Sequence, residues 1–359
     1  MTAPRLEIRL DRIHHNARTL VERLGARGIA VTGVTKASLG SPEIAAELVR
    51  AGVAALGESR IENIERLRRA GQTAPIILIR SPMLSQVDRV VAAADVSLNS
   101  ELAVVEQLSA AARAQGRVHG VILMVELGDL REGITPADLG AVVAPVLRLP
   151  HIELRGIGTN LACQSGVAPD RHNMGALSAL ADELESTFAV TLPVVSGGNS
   201  ANLDWAFAAD DVGRINDLRL GESVLLGCEP LQRQPIDGLH TDAFTLLAEV
   251  IELKSKPSQA WGEINQGAFG VVAPQADRGI RPRAILALGR QDIDPAGLRP
   301  PAGMRILGAS SDHLVVDPGP VPLAVGAEVA FQLDYSALLR AMTSPFVTRV
   351  MTGGHASSP

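Results

Sequence analysis

Three short stretches of this chain carry residues that could do chemistry, and each lies beside the end of an apolar run. Val34-Thr35-Lys36-Ala37 closes the first run with a lysine. An amine held at a strand end suits Schiff-base formation with a carbonyl. The plain alternative is a surface lysine that snorkels to water. Ser196-Gly197-Gly198-Asn199-Ser200-Ala201-Asn202 is a loop whose glycines let backbone N–H groups approach an anion and whose serines add hydroxyl donors. It reads as a phosphate cradle, although Gly-Gly-Asn equally permits an ordinary turn. Arg219-Leu220-Gly221-Glu222-Ser223 offers a second glycine and an arginine whose plain role would be a salt bridge to Asp217 or Glu222. Other eye-catching residues take bland readings. His14 and His15 belong on a solvated helix face, and His172 and His240 lack metal-ligand spacing, so no metal is expected. Cys163 and Cys228 read as small buried hydrophobes.

The elements that must position these residues follow from periodicity. Apolar runs alternate with helical patterns from about residue 29 to 230, the signature of βα units around a parallel sheet. Eight candidate strands emerge: Ile29–Thr35, Val53–Gly57, Ile76–Ile79, Asp95–Leu98, Val118–Val125, Leu154–Thr159, Pro193–Val195 and Val224–Gly227. Between them, Ser41 caps a helix with Pro42 in its first turn, and Gly52 stops it. Eight units in this length predict a (β/α)8 TIM-like barrel, whose active-site groups sit at the C-terminal strand ends. Loops after its seventh and eighth strands often bind phosphate, which is where the two glycine turns fall. After about residue 235 the texture turns to strands: Ala248–Leu253, Arg283–Leu288, Met304–Leu307, His313–Val316 and Glu328–Leu333. The predicted architecture is therefore an α/β barrel over 11–235, a C-terminal β domain over 236–352 joined by a strand within 1–10, and a frayed tail at 353–359.

Composition narrows the function classes. The 359 residues are 46% hydrophobic and 20% charged, with 33 basic against 39 acidic residues and a net charge of −6. That is a globular chain without a basic block, so nucleic acid is not an expected partner. No run approaches the ~20 apolar residues of a membrane span, and the N-terminus has no apolar leader region. Two cysteines are too few for a disulfide framework. These readings point to a cytosolic protein that handles small molecules.

The segment Val34-Thr35-Lys36-Ala37-Ser38-Leu39-Gly40 resembles the cofactor-lysine segment of the alanine-racemase-like family of pyridoxal 5′-phosphate (PLP) enzymes. Asn199-Ser200-Ala201 resembles its phosphate-binding loop, and Arg219-Leu220-Gly221 its Arg-Pro-Gly turn. The likeness runs through Glu126–Gly133 and Gly158–Leu161 to Gly308–His313. Gly57-Glu58-Ser59-Arg60-Ile61-Glu62-Asn63, Ala309–His313 and Asp334–Leu339 are most similar to the ornithine racemase branch, which acts on basic amino acids. The resemblance implies a homodimer in which the β domain of one subunit completes the site on the other's barrel. It implies that Lys36 carries PLP, that Ser200, Gly221, Glu222 and Tyr335 surround the phosphate, and that Arg219 meets the pyridine nitrogen. Arg131, Ser311 and Asp312 are the expected substrate contacts.

In three places the chain departs from the family pattern. Asn160 stands where a histidine would lie beside the cofactor, Met124 where a carbamylated lysine is common, and Trp261 where a tyrosine would be the second base. Tryptophan cannot take a proton. The only tyrosine, Tyr335, is assigned to phosphate. The second base then falls to Asp312 or His313, of which histidine is the residue type that exchanges protons near neutrality. Glu58, Asp129 and Asp312 are candidate partners for a distal ammonium, or for Arg60 and Arg131 instead. The expected activity is racemisation of a free, basic amino acid. The alternatives are a PLP decarboxylase on the same fold and a noncatalytic PLP-binding carrier.

Overall fold

The computed structural model describes residues 2–270 and 276–354. It divides into two compact units, Leu10–Thr241 and a second made of Met1–Arg9 with Asp242–Pro359.

After β1 (Arg5–Arg9), which belongs to the second unit, the first unit opens on α1 (Leu10–Gly25). There follow β2 (Ala30–Val34), α2 (Pro42–Arg50), β3 (Ala55–Glu58), α3 (Ile61–Arg69), β4 (Ile76–Leu78) and α4 (Val87–Ala93). Next come β5 (Val96–Asn99), α5 (Leu102–Ala114), β6 (His119–Met124), α6 (Pro136–Val146), β7 (Ile152–Gly158) and α7 (Arg171–Phe188). The unit closes with β8 (Val194–Ser196), α8 (Leu203–Ala208), β9 (Asp217–Leu220) and α9 (Glu222–Leu226). The eight strands β2 to β9 form a closed parallel barrel in chain order, with β9 returning to β2. This is the predicted TIM-like architecture. Ala55, Ile77, Leu98, Ile122 and Met124 form one buried cluster contributed by the four consecutive strands β3 to β6, the last supplying two of the five, which packs as a core of the barrel. Ser41 caps α2 as expected, its Oγ accepting the Ile44 N–H at 3.4 Å with Pro42 in the first turn.

One strand is displaced from its expected place. Val224–Gly227 is not the eighth strand; Val224 to Leu226 lie in the short helix α9, and β9 is Asp217–Leu220. A short apolar run cannot by itself distinguish a buried strand from a buried helix. The true strand is masked because its alternate residues Asp217 and Arg219 are charged, while Leu218 and Leu220 face the other way. His14 also departs from its solvated reading: its Nδ1 lies 3.2 Å from the buried Glu47 carboxylate.

The second unit is a mostly antiparallel sheet built from β10 (Phe244–Pro257), β11 (Ile280–Leu286), β12 (Leu298–Arg299), β13 (Arg305–Ala309), β14 (Leu314–Asp317) and β15 (Glu328–Leu333). Helix α10 (Tyr335–Thr343) and strand β16 (Thr348–Thr352) complete it. Strand β1 runs antiparallel to β10 and parallel to β16. Of the expected tail, 355–359 lie outside the described residues. Among the described residues, no helix is long and apolar enough to cross a membrane.

Candidate active site

The C-terminal ends of the barrel strands gather the predicted residues of the first unit. Lys36 follows the end of β2 with one residue between, at the start of a single 3-10 turn, and is half-buried. The chain has three lysines, and Lys254 and Lys256 both lie on β10 of the other unit, so Lys36 is the only lysine of the barrel unit. Thr35, just before it, is tied by its backbone N–H to Gly57 O at 2.9 Å and by its hydroxyl to Glu58 Oε2 at 3.0 Å. The base of Lys36 is thus fixed to the neighbouring strand.

The loop after β8 is shaped by two asparagines. Asn199 Oδ1 accepts Ala201 N–H at 2.8 Å, while its Nδ2 donates to Leu161 O at 2.8 Å and to Asn160 Oδ1 at 3.1 Å. Asn202 Oδ1 in turn accepts Asn199 N–H at 3.0 Å. Gly198 has φ +142°, and a Cβ there would come within 2.2 Å of Asn202 Oδ1, so only glycine permits this turn. The loop presents Ser200, whose Oγ lies 2.9 Å from Ser223 Oγ and accepts the Ser223 N–H at 3.2 Å. Ser223 is a residue that sequence reasoning did not single out. Gly221 brings its turn close to the lysine strand, since a Cβ would meet Val34 Cβ at 3.2 Å. Gly221 and Glu222 thus share one corner with the Ser200 loop.

Arg219 projects from β9 and is buried. Its Nη1 donates to Ser196 Oγ at 2.5 Å, and its Nη2 to Thr159 O at 2.7 Å and Asn160 Oδ1 at 3.4 Å. The salt bridge to Asp217 or Glu222 that a plain structural role would call for is replaced by these neutral acceptors. Burial presses the Arg219 guanidinium below its ordinary pKa, and Asp217 and then Glu132 oppose this. Asn160 Nδ2, beside it, is buried without a hydrogen-bond partner.

Around the rim, Arg131 is paired with its neighbour Glu132, through Nη2–Oε1 at 2.6 Å and a second short contact, rather than with the suggested acids. The Glu132 carboxylate raises Arg131 above its ordinary value. Cys163 is exposed, not a buried hydrophobe, and its Sγ lies 3.5 Å from Asn199 Nδ2; Cys228 is buried. Two of the proposed ammonium partners are otherwise engaged. Asp129 is buried and accepts the N–H groups of Gln164 at 3.0 Å and Ser165 at 2.9 Å. Glu58 is fully buried and accepts the N–H groups of Ser59 at 2.6 Å and Arg60 at 3.2 Å. Burial pushes the Glu58 carboxyl up, opposed by its hydrogen bonds to Ser59, Thr35, Asn63 and Arg60. Met124 is part of the apolar barrel core.

The remaining predicted residues belong to the second unit. Ser311, Asp312 and His313 form the exposed turn between β13 and β14. There Asp312 accepts Gln291 Nε2 at 2.5 Å and Ser311 Oγ at 2.8 Å, and His313 Nδ1 lies 3.4 Å from Ser310 Oγ. Tyr335 is the first residue of α10, whose N-cap Asp334 accepts the Ala337 N–H at 3.0 Å. Trp261 lies between β10 and β11 and is 89% exposed.

Residues 8–229 match the family model "Alanine racemase, N-terminal domain". The chain is 40% identical to an ornithine racemase of Acetoanaerobium sticklandii over 96% of its own length and 99% of the relative's. It is likewise 40% identical to a lysine racemase of Thermotoga maritima over 98% of this chain and 99% of that one. Among solved structures, the alanine racemase of Streptomyces lavendulae superposes with a TM-score of 0.75 over 99% of both chains, at 22% identity, a likeness of fold. With its barrel matched by that model and nearly its whole length aligned to these relatives, the chain belongs to the alanine racemase family of PLP enzymes.

Proposed function

We propose that this chain is a PLP-dependent racemase that interconverts the enantiomers of a free basic amino acid, of the ornithine and lysine kind. The observation that carries the reading is the mouth of the barrel: its only lysine at the end of β2, and on the adjoining strand β9 a buried arginine held by neutral oxygens. The residues fit the cofactor. The unpartnered Asn160 Nδ2 is a buried donor awaiting an acceptor beside Arg219. The Ser200 and Ser223 hydroxyls are hydrogen-bonded to each other, which leaves one of the two protons to donate to a phosphate.

When bound, PLP supplies an electron sink that acidifies the Cα–H of an amino acid joined to it. Lys36 provides the amine that carries the cofactor and, on one face, the group that takes and returns the Cα proton. Ser200, with the backbone N–H groups of Gly221 and Glu222, would hold the phosphate, a role the sequence resemblance also gives to the hydroxyl of Tyr335. Arg219 would meet the pyridine nitrogen and would not surrender its proton, since arginine stays charged in proteins. Electron withdrawal is thereby kept moderate, which suits proton exchange over deeper rearrangement. Arg131, paired with Glu132, would meet the substrate carboxylate.

The chain works as a cytosolic homodimer in which the Ser311–His313 turn is supplied by the partner subunit. His313 or Asp312 then serves the face opposite Lys36. Because Glu58 and Asp129 are buried with their oxygens on backbone donors, Asp312, exposed and held only by side chains, is the candidate left to meet a distal ammonium. Incubating the holoenzyme with L-lysine, L-ornithine and L-alanine, followed by chiral chromatography, tests the reading. D-lysine or D-ornithine should accumulate to a racemic mixture without release of carbon dioxide. Net decarboxylation, or no D-enantiomer from either basic substrate, would overturn it.

A further inference from the structure

We infer that Asp217, acting through the hydroxyl of Ser196, is a positioning residue for Arg219. It fixes the guanidinium and supplies the buried negative charge that lets a cation sit inside the barrel. The inference rests on the reading that Arg219 meets the pyridine nitrogen, and deepens it.

All three acceptors in contact with Arg219 (Ser196 Oγ, Thr159 O and Asn160 Oδ1) are uncharged. A buried cation served only by neutral groups is costly. The nearest compensation lies one hydroxyl away. Because Arg219 donates to Ser196 Oγ, the single Ser196 proton is left to donate onward, and it does so to Asp217 Oδ2 in a short contact. The other carboxylate oxygen, Oδ1, accepts Thr32 Oγ1 at 2.7 Å. Asp217 therefore has both oxygens engaged and cannot rotate away.

The ladder makes this arrangement rigid. Ser196 is the register partner of Asp217 across β8 and β9, and Thr32 is the partner of Arg219 across β2 and β9. Asp217 and Arg219 are two apart on one strand and share its face. Three strands thus hold one polar relay in which all four residues are buried. Asp217 is also the foremost group opposing the effect of burial on Arg219. A carboxylate in direct bidentate contact would occupy two guanidinium donors. With the serine hydroxyl interposed, the anion compensates the charge while the guanidinium keeps donors for the cofactor ring.

The test uses holoenzyme reconstituted with PLP labelled with 15N at the pyridine nitrogen, whose NMR shift reports the hydrogen bonding and protonation of that atom. PLP affinity is measured alongside. Asp217→Asn removes the charge, Ser196→Ala removes the link but keeps both charges, and Arg219→Gln marks the shift expected when the ring loses its arginine. Both relay variants should move the resonance most of the way to the Arg219→Gln position. Both should also weaken PLP binding about tenfold, the size of one lost buried hydrogen-bonded partner. If Asp217→Asn does not fold, Ser196→Ala decides alone. A native shift with PLP affinity within about twofold of wild type in the relay variants, while Arg219→Gln moves the shift, would overturn the relay alone. An unmoved shift in Arg219→Gln would overturn the placement of Arg219 and the relay with it.

Discussion

His119 gives the structure a defined weakness toward acid. It begins β6 on the strand face opposite Ile122 and Met124, is buried, and shares a 2.8 Å contact between its Nε2 and Ser97 Oγ. Burial lowers its pKa from 6.5 to about 4, opposed by the Asp95 charge and a backbone hydrogen bond at Ala94. The unfolded chain therefore takes up a proton near pH 6.5 and the folded chain only near pH 4. Between those values the unfolded state binds more protons, so stability falls as the pH falls. The gap corresponds to about 3 kcal/mol, present in full at neutral pH and lost by about pH 4. His119→Gln keeps a polar group beside Ser97 and cannot titrate. Urea unfolding of both proteins from about pH 7.5 to pH 4 should show wild type losing about 3 kcal/mol more than the variant, with groups common to both cancelling. Parallel stability curves would refute the reasoning.

Two further outcomes follow from the site. Ser200→Ala should raise the PLP dissociation constant about tenfold in apoenzyme titrations. Ser223→Ala should raise it less, because the Ser223 backbone N–H still holds Ser200. If His313 or Asp312 is the second base, one of the two alanine variants should retain PLP and still exchange Cα deuterium for one enantiomer while losing exchange for the other. Symmetric exchange with full turnover in both variants would point to Lys36 serving both faces.

What the sequence disclosed was local, and what it hid depended on folding. Lys36 and the Ser196–Asn202 loop are legible because a lysine ending an apolar run, and paired glycines with serines, carry their meaning within a few residues. The barrel is legible because strand and helix alternate with clear punctuation. The eighth strand is not, since the charged Asp217 and Arg219 alternate with Leu218 and Leu220 and erase the continuous apolar run that marks a strand buried on both faces. Ser223 and Ser196 gain their roles only from neighbours across the sheet or on the next loop. Glu58 and Asp129 look like ligand acids in a linear reading, yet Asp129 accepts N–H groups that only the fold brings to it, from Gln164 and Ser165, and Glu58 turns back onto the N–H groups of the next two residues.

The central claim is that Lys36 carries the cofactor, and the small number of lysines makes it directly measurable. Borohydride reduction of the holoenzyme, proteolysis and mass spectrometry will locate the pyridoxyl group among Lys36, Lys254 and Lys256. The account predicts the adduct on the Lys36 peptide and its loss, with the visible absorbance, in Lys36→Ala. A pyridoxyl group on Lys254 or Lys256, or none on any lysine of a yellow, reducible protein, would contradict it.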